Sequence, residues 1–204
     1  MRKTGEKKHS KLLLFDQDFL NQGFTSLAGV DEAGRGPWAG PVVASAVIVR
    51  DFSFECDVDD SKKMTPRSRE RAYEEILTKC SIGIGMVDSD TIDRINILEA
   101  TFQAMQEALK GLGKTPDCVL VDGNRAPKAP YRFTPVVDGD AKSFSIACAS
   151  VVAKVTRDRL MEYFDEVYPR YGFVRHKGYG TPEHLAALNS TGRAGSIEKV
   201  LNPL

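Results

Sequence analysis

Leu27-Ala28-Gly29-Val30-Asp31-Glu32-Ala33-Gly34-Arg35-Gly36 sets two adjacent carboxylates at the end of a short apolar run and follows them with a Gly-Arg-Gly turn. Carboxylates at the end of a buried strand are costly unless a cation or hydrogen bonds take up their charge. Glycines on either side of an arginine let backbone N–H groups and a guanidinium approach an anion closely. Acid for a metal and an open basic turn for a phosphate therefore stand side by side, the pairing that phosphoryl chemistry needs. Read alone, the same residues also fit a solvated loop start and an ordinary turn. Companion acids decide between the two.

Asp122 and Asp140 are those companions, since each sits beside glycine where an apolar, strand-like run stops. Ligands of α/β sheets gather at such strand ends, where separate strands can converge acids on one spot. Several carboxylates so close cannot all stay ionised unaided, because like charges raise one another's pKa. An all-oxygen, mainly carboxylate site suits Mg²⁺ or Mn²⁺. Asp138 competes with Asp140 for the last position; Asp140 precedes Ala141-Lys142-Ser143, a candidate helix start that favours negative charge. Neighbours on a regular strand face opposite ways, so Asp31 and Glu32 are expected to share a site only if the strand ends or bulges between them.

The elements that must carry these residues alternate only partly, which points to an α/β fold with a mixed sheet. Strands are expected ending at Gly29 to Asp31, over Pro41 to Val49, Ser81 to Val87 and Cys118 to Val121, and over Tyr131 to Val137. Thr65-Pro66 reads as an N-cap and first helical residue of a helix through Leu77. Ile92, Ile95, Leu98, Phe102, Met105 and Leu109 have helical spacing and predict one helix from about Asp90 to Leu109. A second, rich in Ala, Ser and Val, is expected from Ser143 to Tyr163, and Thr181-Pro182 opens a terminal one. Residues 1–25 read as a leader, flexible or a short helix around Leu12 to Phe15, residues 26–168 as the core, and residues 169–204 as a loop and small C-terminal helical extension.

Composition excludes several classes. The 204 residues are 42% hydrophobic and 27% charged, ordinary for one soluble domain. With 28 basic and 28 acidic residues, any affinity for nucleic acid must come from a local basic face. Lys62, Lys63, Arg67, Arg69 and Arg71 form one basic run, and Arg170, Arg175, His176 and Lys177 another. The four cysteines are widely separated, against a disulfide framework or a zinc site. No segment approaches the ~20 apolar residues of a membrane span, so the reading is a cytoplasmic protein without a membrane partner.

Val30 to Pro37, Asp60-Ser61-Lys62-Lys63, Val121-Asp122-Gly123-Asn124, Gly139-Asp140-Ala141-Lys142-Ser143, Ser150 to Asp158 and His176 to Thr181 together closely resemble type 2 ribonuclease H, ribonuclease HII. The resemblance implies a ribonuclease H-like mixed sheet flanked by helices, and an endonuclease that cuts RNA paired with DNA. It implies Asp31, Glu32, Asp122 and Asp140 as catalytic, metal-binding acids using Mn²⁺ or Mg²⁺, with Asp31 touching two ions. Gly34, Arg35 and Gly36 match the turn that reads the ribose 2′-OH and grips the scissile phosphate, and Tyr179 matches a tyrosine that stacks at an RNA–DNA junction. Such enzymes cut 5′ of a ribonucleotide, even a single one in duplex DNA, leaving 3′-hydroxyl and 5′-phosphate ends. Trp38 stands where the family varies, and no aromatic clamp-binding motif follows Leu201-Asn202-Pro203-Leu204.

Lys62, Lys142 and Ser143 are expected to contact substrate, and the chain is expected to act as a monomer. Lys154, Arg157 and Asp158 read as a supporting ion-pair network, and His176 and His184 as loop and helix-start residues. Two other readings stay open on sequence: a DNA recombination nuclease or integrase, which needs no 2′-OH-reading turn, and a non-catalytic binding module, which needs no full set of acids.

Overall fold

The computed structural model describes residues 5–194, built on one five-stranded sheet. Its strands are β1 (Leu27–Ala33), β2 (Val42–Val49), β3 (Cys80–Val87), β4 (Cys118–Asp122) and β5 (Phe133–Val136), in the order β3-β2-β1-β4-β5. β1 runs antiparallel to β2 and β2 to β3, while β1–β4 and β4–β5 are parallel. The sheet is therefore mixed, as expected.

Helices α1 (Gly5–Asn21), α2 (Pro66–Lys79), α3 (Ser89–Ile95), α4 (Ile97–Gly111), α5 (Phe144–Val167), α6 (Phe173–His176) and α7 (Pro182–Thr191) complete the described residues. Alternation along the strands sorts the core into two layers. Ala28, Val30, Val119 and Val121 pack with Ala104, Met105 and Leu109 of α4. On the other face α5 lies so close to β1 that a Cβ at Gly29 would overlap the Ser145 backbone, so no larger residue fits there. Val47 joins α2 and α5 through Ile76, Phe144 and Val151. Tyr171, Phe173 and Ala194 pack on Ala39 and Met161, fastening α6 to the end of α5.

Three expectations change. The helix read from Asp90 to Leu109 is broken at Asn96, whose φ of 69° ends α3 while its side chain caps α4 by accepting from Leu98 N and Glu99 N. Asparagine tolerates the left-handed region and prefers caps, which overrides the apolar periodicity. Of the two readings for residues 1–25, the helix carrying Leu12 to Phe15 is present over the described part, but it is long rather than short: α1 has 17 residues. It buries Asp16, which accepts from the Ser143 and Ser145 hydroxyls (both 2.6 Å) and from Ser145 N (2.8 Å). Third, β1 continues in regular register past Asp31, pairing Glu32 with Ala44 and Ala33 with Val43. Leu201 to Leu204, where no clamp-binding motif is read, lie outside the described residues. Among the described residues, no helix is long and apolar enough to cross a membrane.

Candidate active site

The parallel β1–β4 register pairs Val30 with Val121, so the next residue on each strand sets Asp31 beside Asp122. Asp31 is buried, and its carboxylate accepts from Glu32 N at 2.7 Å and is reached by the Ser150 hydroxyl of α5. Ser150 lies 2.8 Å from the Ser61 hydroxyl, so a buried serine pair backs the acid. Burial raises the Asp31 pKa well above its ordinary value, and the charges of Glu32 and Asp122 raise it further.

Because β1 neither ends nor bulges at Asp31, Glu32 turns toward α4 while Asp31 faces α5. Both acids lie near Asp122, whose charge acts on each, and the Glu32 charge acts on Asp31 as well. Burial also raises the Glu32 pKa, opposed by Arg35, whose Nη1 stands 3.3 Å from Oε1. A cavity of about 270 Å³ opens beside this end, lined by Glu32, Arg35, Phe102, Met105, Asp122 and Arg125 among others.

Asp140 reaches the site from a 3-10 turn, Gly139–Ala141, that joins β5 to α5. The turn is tied down by Gly139 N donating to Asp122 Oδ1 at 2.6 Å. Of Asp138 and Asp140, Asp140 is the one buried, while Asp138 is exposed in the left-handed region at φ 53°. Burial, then the charges of Asp60 and Asp122, raise the Asp140 pKa to about 6, with Lys62 opposing. Lys62 Nζ lies 3.8 Å from Asp140 Oδ2 and, against burial, is held protonated by Asp31, Asp140, Asp60 and Asp122.

Asp60 is the acid that sequence reasoning left without a role of its own. It is buried beside Asp140 and accepts from Lys62 N at 2.9 Å and pairs with Lys63 Nζ at 3.0 Å. Its only sequence signal is its place at the head of Asp60-Ser61-Lys62-Lys63. Among the described residues no three Asp, Glu, His or Cys side chains already form a metal cage. Lys62 stands beside Asp140 and Arg35 beside Glu32.

The Gly-Arg-Gly turn adjoins the acids. Gly34 has φ +110°, and a Cβ there would come within 2.5 Å of Arg157 Nε and Pro41 O. Arg35 is half-exposed and Gly36 lies under Tyr179, since a Cβ at Gly36 would sit 3.6 Å from Tyr179 Cε1. Tyr179, 48% exposed, faces outward from the same rim.

Two expected substrate contacts are not supported by geometry. Ser143 is fully buried, caps α5 through Ile146 N and donates to Asp16, so its hydroxyl is already engaged within the fold. Lys142 is exposed but extends back to Val137 O at 2.5 Å. The ion-pair network is also redistributed: Asp158 pairs with Lys154 (2.7 Å) and Arg69 (3.5 Å), whereas Arg157 takes no part and donates to backbone carbonyls. Of the basic runs, Arg69 is bound to Ser61 O and Met64 O, Arg175 to Glu183 and Lys177 to Glu162. His176 and His184 are buried and stacked at 4.5 Å; His184 lies in the first turn of α7, as expected, whereas His176, read as a loop residue, ends α6.

A mixed sheet flanked by helices, with acids gathered at one end of two neighbouring parallel strands, defines a ribonuclease H-like nuclease. The Ribonuclease HII family model matches residues 28–201. Ribonuclease HII of Ruminiclostridium cellulolyticum is 48% identical over 183 residues, 89% of this chain and 72% of that protein. The Geobacter sulfurreducens protein is 49% identical over 179 residues, 87% of this chain and 82% of its own. The structure of a PCNA–ribonuclease HII complex from Archaeoglobus fulgidus superposes with a TM-score of 0.72 at 27% identity, covering 88% of this chain and 96% of that one. The chain belongs to the ribonuclease HII family, and is an endonuclease of the hydrolase class.

Proposed function

We propose that the chain hydrolyses the RNA strand of RNA–DNA hybrids and cuts 5′ of ribonucleotides embedded in duplex DNA, leaving 3′-hydroxyl and 5′-phosphate ends. Asp31, Glu32, Asp122 and Asp140 would hold divalent cations, Mn²⁺ or Mg²⁺. The donor set fits: all oxygen, with buried acids whose raised pKa values mark charge that lacks sufficient counter-charge. Cations bound there supply Lewis acidity toward the scissile phosphate and the departing 3′ oxygen.

The remaining work falls to the chain's own groups. Asp31 orients the site, held by Glu32 N and the Ser150 hydroxyl. The backbone of Gly34 to Gly36 approaches the ribose, whose 2′-OH separates RNA from DNA, and Arg35 binds the phosphate. Tyr179 stacks on the nucleotide at the junction. Lys62, Lys63, Arg67 and Arg71, all exposed, grip the backbone of the duplex. Lys142 reaches phosphate only by leaving Val137 O. One copy of the chain contributes every residue named, which fits a monomer.

The observation that carries the reading is the juxtaposition of Asp31 and Asp122 at parallel strand ends with a left-handed Gly34 turn roofed by Tyr179. Duplex DNA with one ribonucleotide, incubated with and without Mn²⁺ or Mg²⁺, tests it. A single metal-dependent nick on the 5′ side of the ribonucleotide is expected. Cutting of an all-DNA junction would favour a recombination nuclease instead.

A further inference from the structure

Arg157 is 1% exposed, yet among the described residues no carboxylate is within ion-pair distance of it: its neighbour Asp158 is engaged by Lys154 and Arg69. Its guanidinium instead donates to Pro41 O (Nε, 3.1 Å), Ala39 O (Nη2, 2.9 Å) and Lys177 O (Nη1, 3.0 Å). Burying a charge is expensive unless its donors are satisfied, and a planar fork can satisfy carbonyls from separate segments at once. The segments joined are the loop between β1 and β2, which begins with the Gly34–Gly36 turn, and the loop that carries Tyr179.

The same two segments are laced together around the fork. Trp38 N and Ala39 N both donate to Gly178 O, at 2.8 and 3.2 Å. Gly34 leaves no space for a Cβ beside the Arg157 side chain. A Cβ at Gly178, φ +84°, would run into Ala39 O, and one at Gly180 would overlap the Trp38 ring. Without the guanidinium, carbonyls from both loops would lose their shared donor while the sheet beneath stayed intact.

We infer that Arg157 is a positioning residue: it locks the Gly34–Gly36 turn and the Tyr179 loop into one frame, and so sets how strongly the enzyme prefers an embedded ribonucleotide over a continuous hybrid. The inference rests on the proposed substrate roles of that turn and of Tyr179. An arginine that merely fills the core would change stability and leave the preference alone.

The test uses Arg157→Lys, which keeps the charge and loses the fork, with Tyr179→Ala beside it. Readouts are the ratio of kcat/KM on a single-ribonucleotide duplex to that on a continuous hybrid, and acrylamide quenching of Trp38, the sole tryptophan. R157K should lower the ratio by about tenfold, the scale of one lost aromatic contact, and make Trp38 more accessible. In the R157K/Y179A double variant the ratio should fall no further than in either single variant. Should R157K fail to fold, Gly178→Ala pushes the Tyr179 loop off Ala39 O with the guanidinium untouched, and the same two changes are expected. A folded R157K or G178A with wild-type ratio and wild-type quenching overturns the inference. If Y179A shifts the ratio and R157K moves neither readout, the frame fails and the substrate reading stands. If Y179A leaves the ratio intact, the substrate reading of Tyr179 fails, and the claim on preference falls with it even where R157K exposes Trp38.

Discussion

The open end of the sheet and the loop frame around Arg157 lie against each other and treat buried charge in opposite ways. At the sheet end, Asp31, Glu32 and Asp140 gather around Asp122, and burial first, then the charges of neighbouring acids, raise their pKa values. In the frame, Arg157 has a carbonyl at each of its three nitrogens. His176 accepts from Gly178 N at Nδ1, which leaves Nε2–H to donate to Tyr171 O. One region is complete without a ligand; the other holds an excess of like charge that Lys62 and Arg35 offset only in part. The proposed activity would use both: a site whose charges accept metal and phosphate, and a rigid border that selects which phosphate arrives.

The comparison breaks most sharply at Asp31. Asp31→Asn should reduce turnover by at least about 10³-fold, the scale of several kcal/mol of lost charge stabilisation, while hybrid binding persists. Single-turnover rates with an electrophoretic binding assay check this, and near-normal turnover by the folded variant would remove Asp31 from the site. Next, Tyr179→Ala should lower the single-ribonucleotide to hybrid ratio by about tenfold. A parallel loss on both substrates, tracking melting temperature, would leave Tyr179 as a packing residue.

Asp16→Ala should cost about 2–3 kcal/mol, because it strips the acceptor from buried Ser143 and Ser145 donors. Chemical denaturation measures it, and a loss within ±0.5 kcal/mol would show that α1 does not brace the Asp140 turn.

Acid should pull the two regions in opposite directions. The Asp140 pKa is raised from 3.8 to about 6, so over that window the folded protein binds a proton the unfolded chain lacks. Without metal, this term adds stability as pH falls through 6 toward 4. Metal competes for the same carboxylate, so the Mn²⁺ concentration for half-maximal rate should rise below about pH 6. Burial lowers the His176 pKa below 6.5, so its term is lost as pH falls through the unfolded value. His176→Gln should flatten the second trend and Asp140→Asn the first. Melting curves between pH 4 and 7 separate them, and identical profiles for both variants and wild type would dismiss both assignments.

That Asp31, Asp122 and Asp140 lie at one end of the sheet was legible because each stops an apolar run, although β1 itself continues past Asp31 to Ala33. The mixed sheet was legible from β-branched runs that alternate only partly with helices. What escaped is non-local. Nothing in Phe15-Asp16-Gln17 announces an acceptor for Ser143 and Ser145 across more than a hundred residues. Arg157 beside Lys154 and Asp158 reads as a helical ion pair, and only the packed loops reveal carbonyls as its partners. The continuation of β1 through Ala33 depends on pairing with β2, which Gly34 obscures locally. Ser143 was half legible: its capping role follows from its position, its burial does not.

The most direct measurement is the melting temperature of wild type and Asp31→Asn, each with and without millimolar Mn²⁺. Removing a buried, repelled carboxylate should raise the melting temperature of the metal-free protein, and the same substitution should abolish the stabilisation that Mn²⁺ gives the wild type. An Asp31→Asn protein that is less stable without metal, and gains as much from Mn²⁺ as the wild type does, would contradict a metal site built on the sheet's carboxylate end.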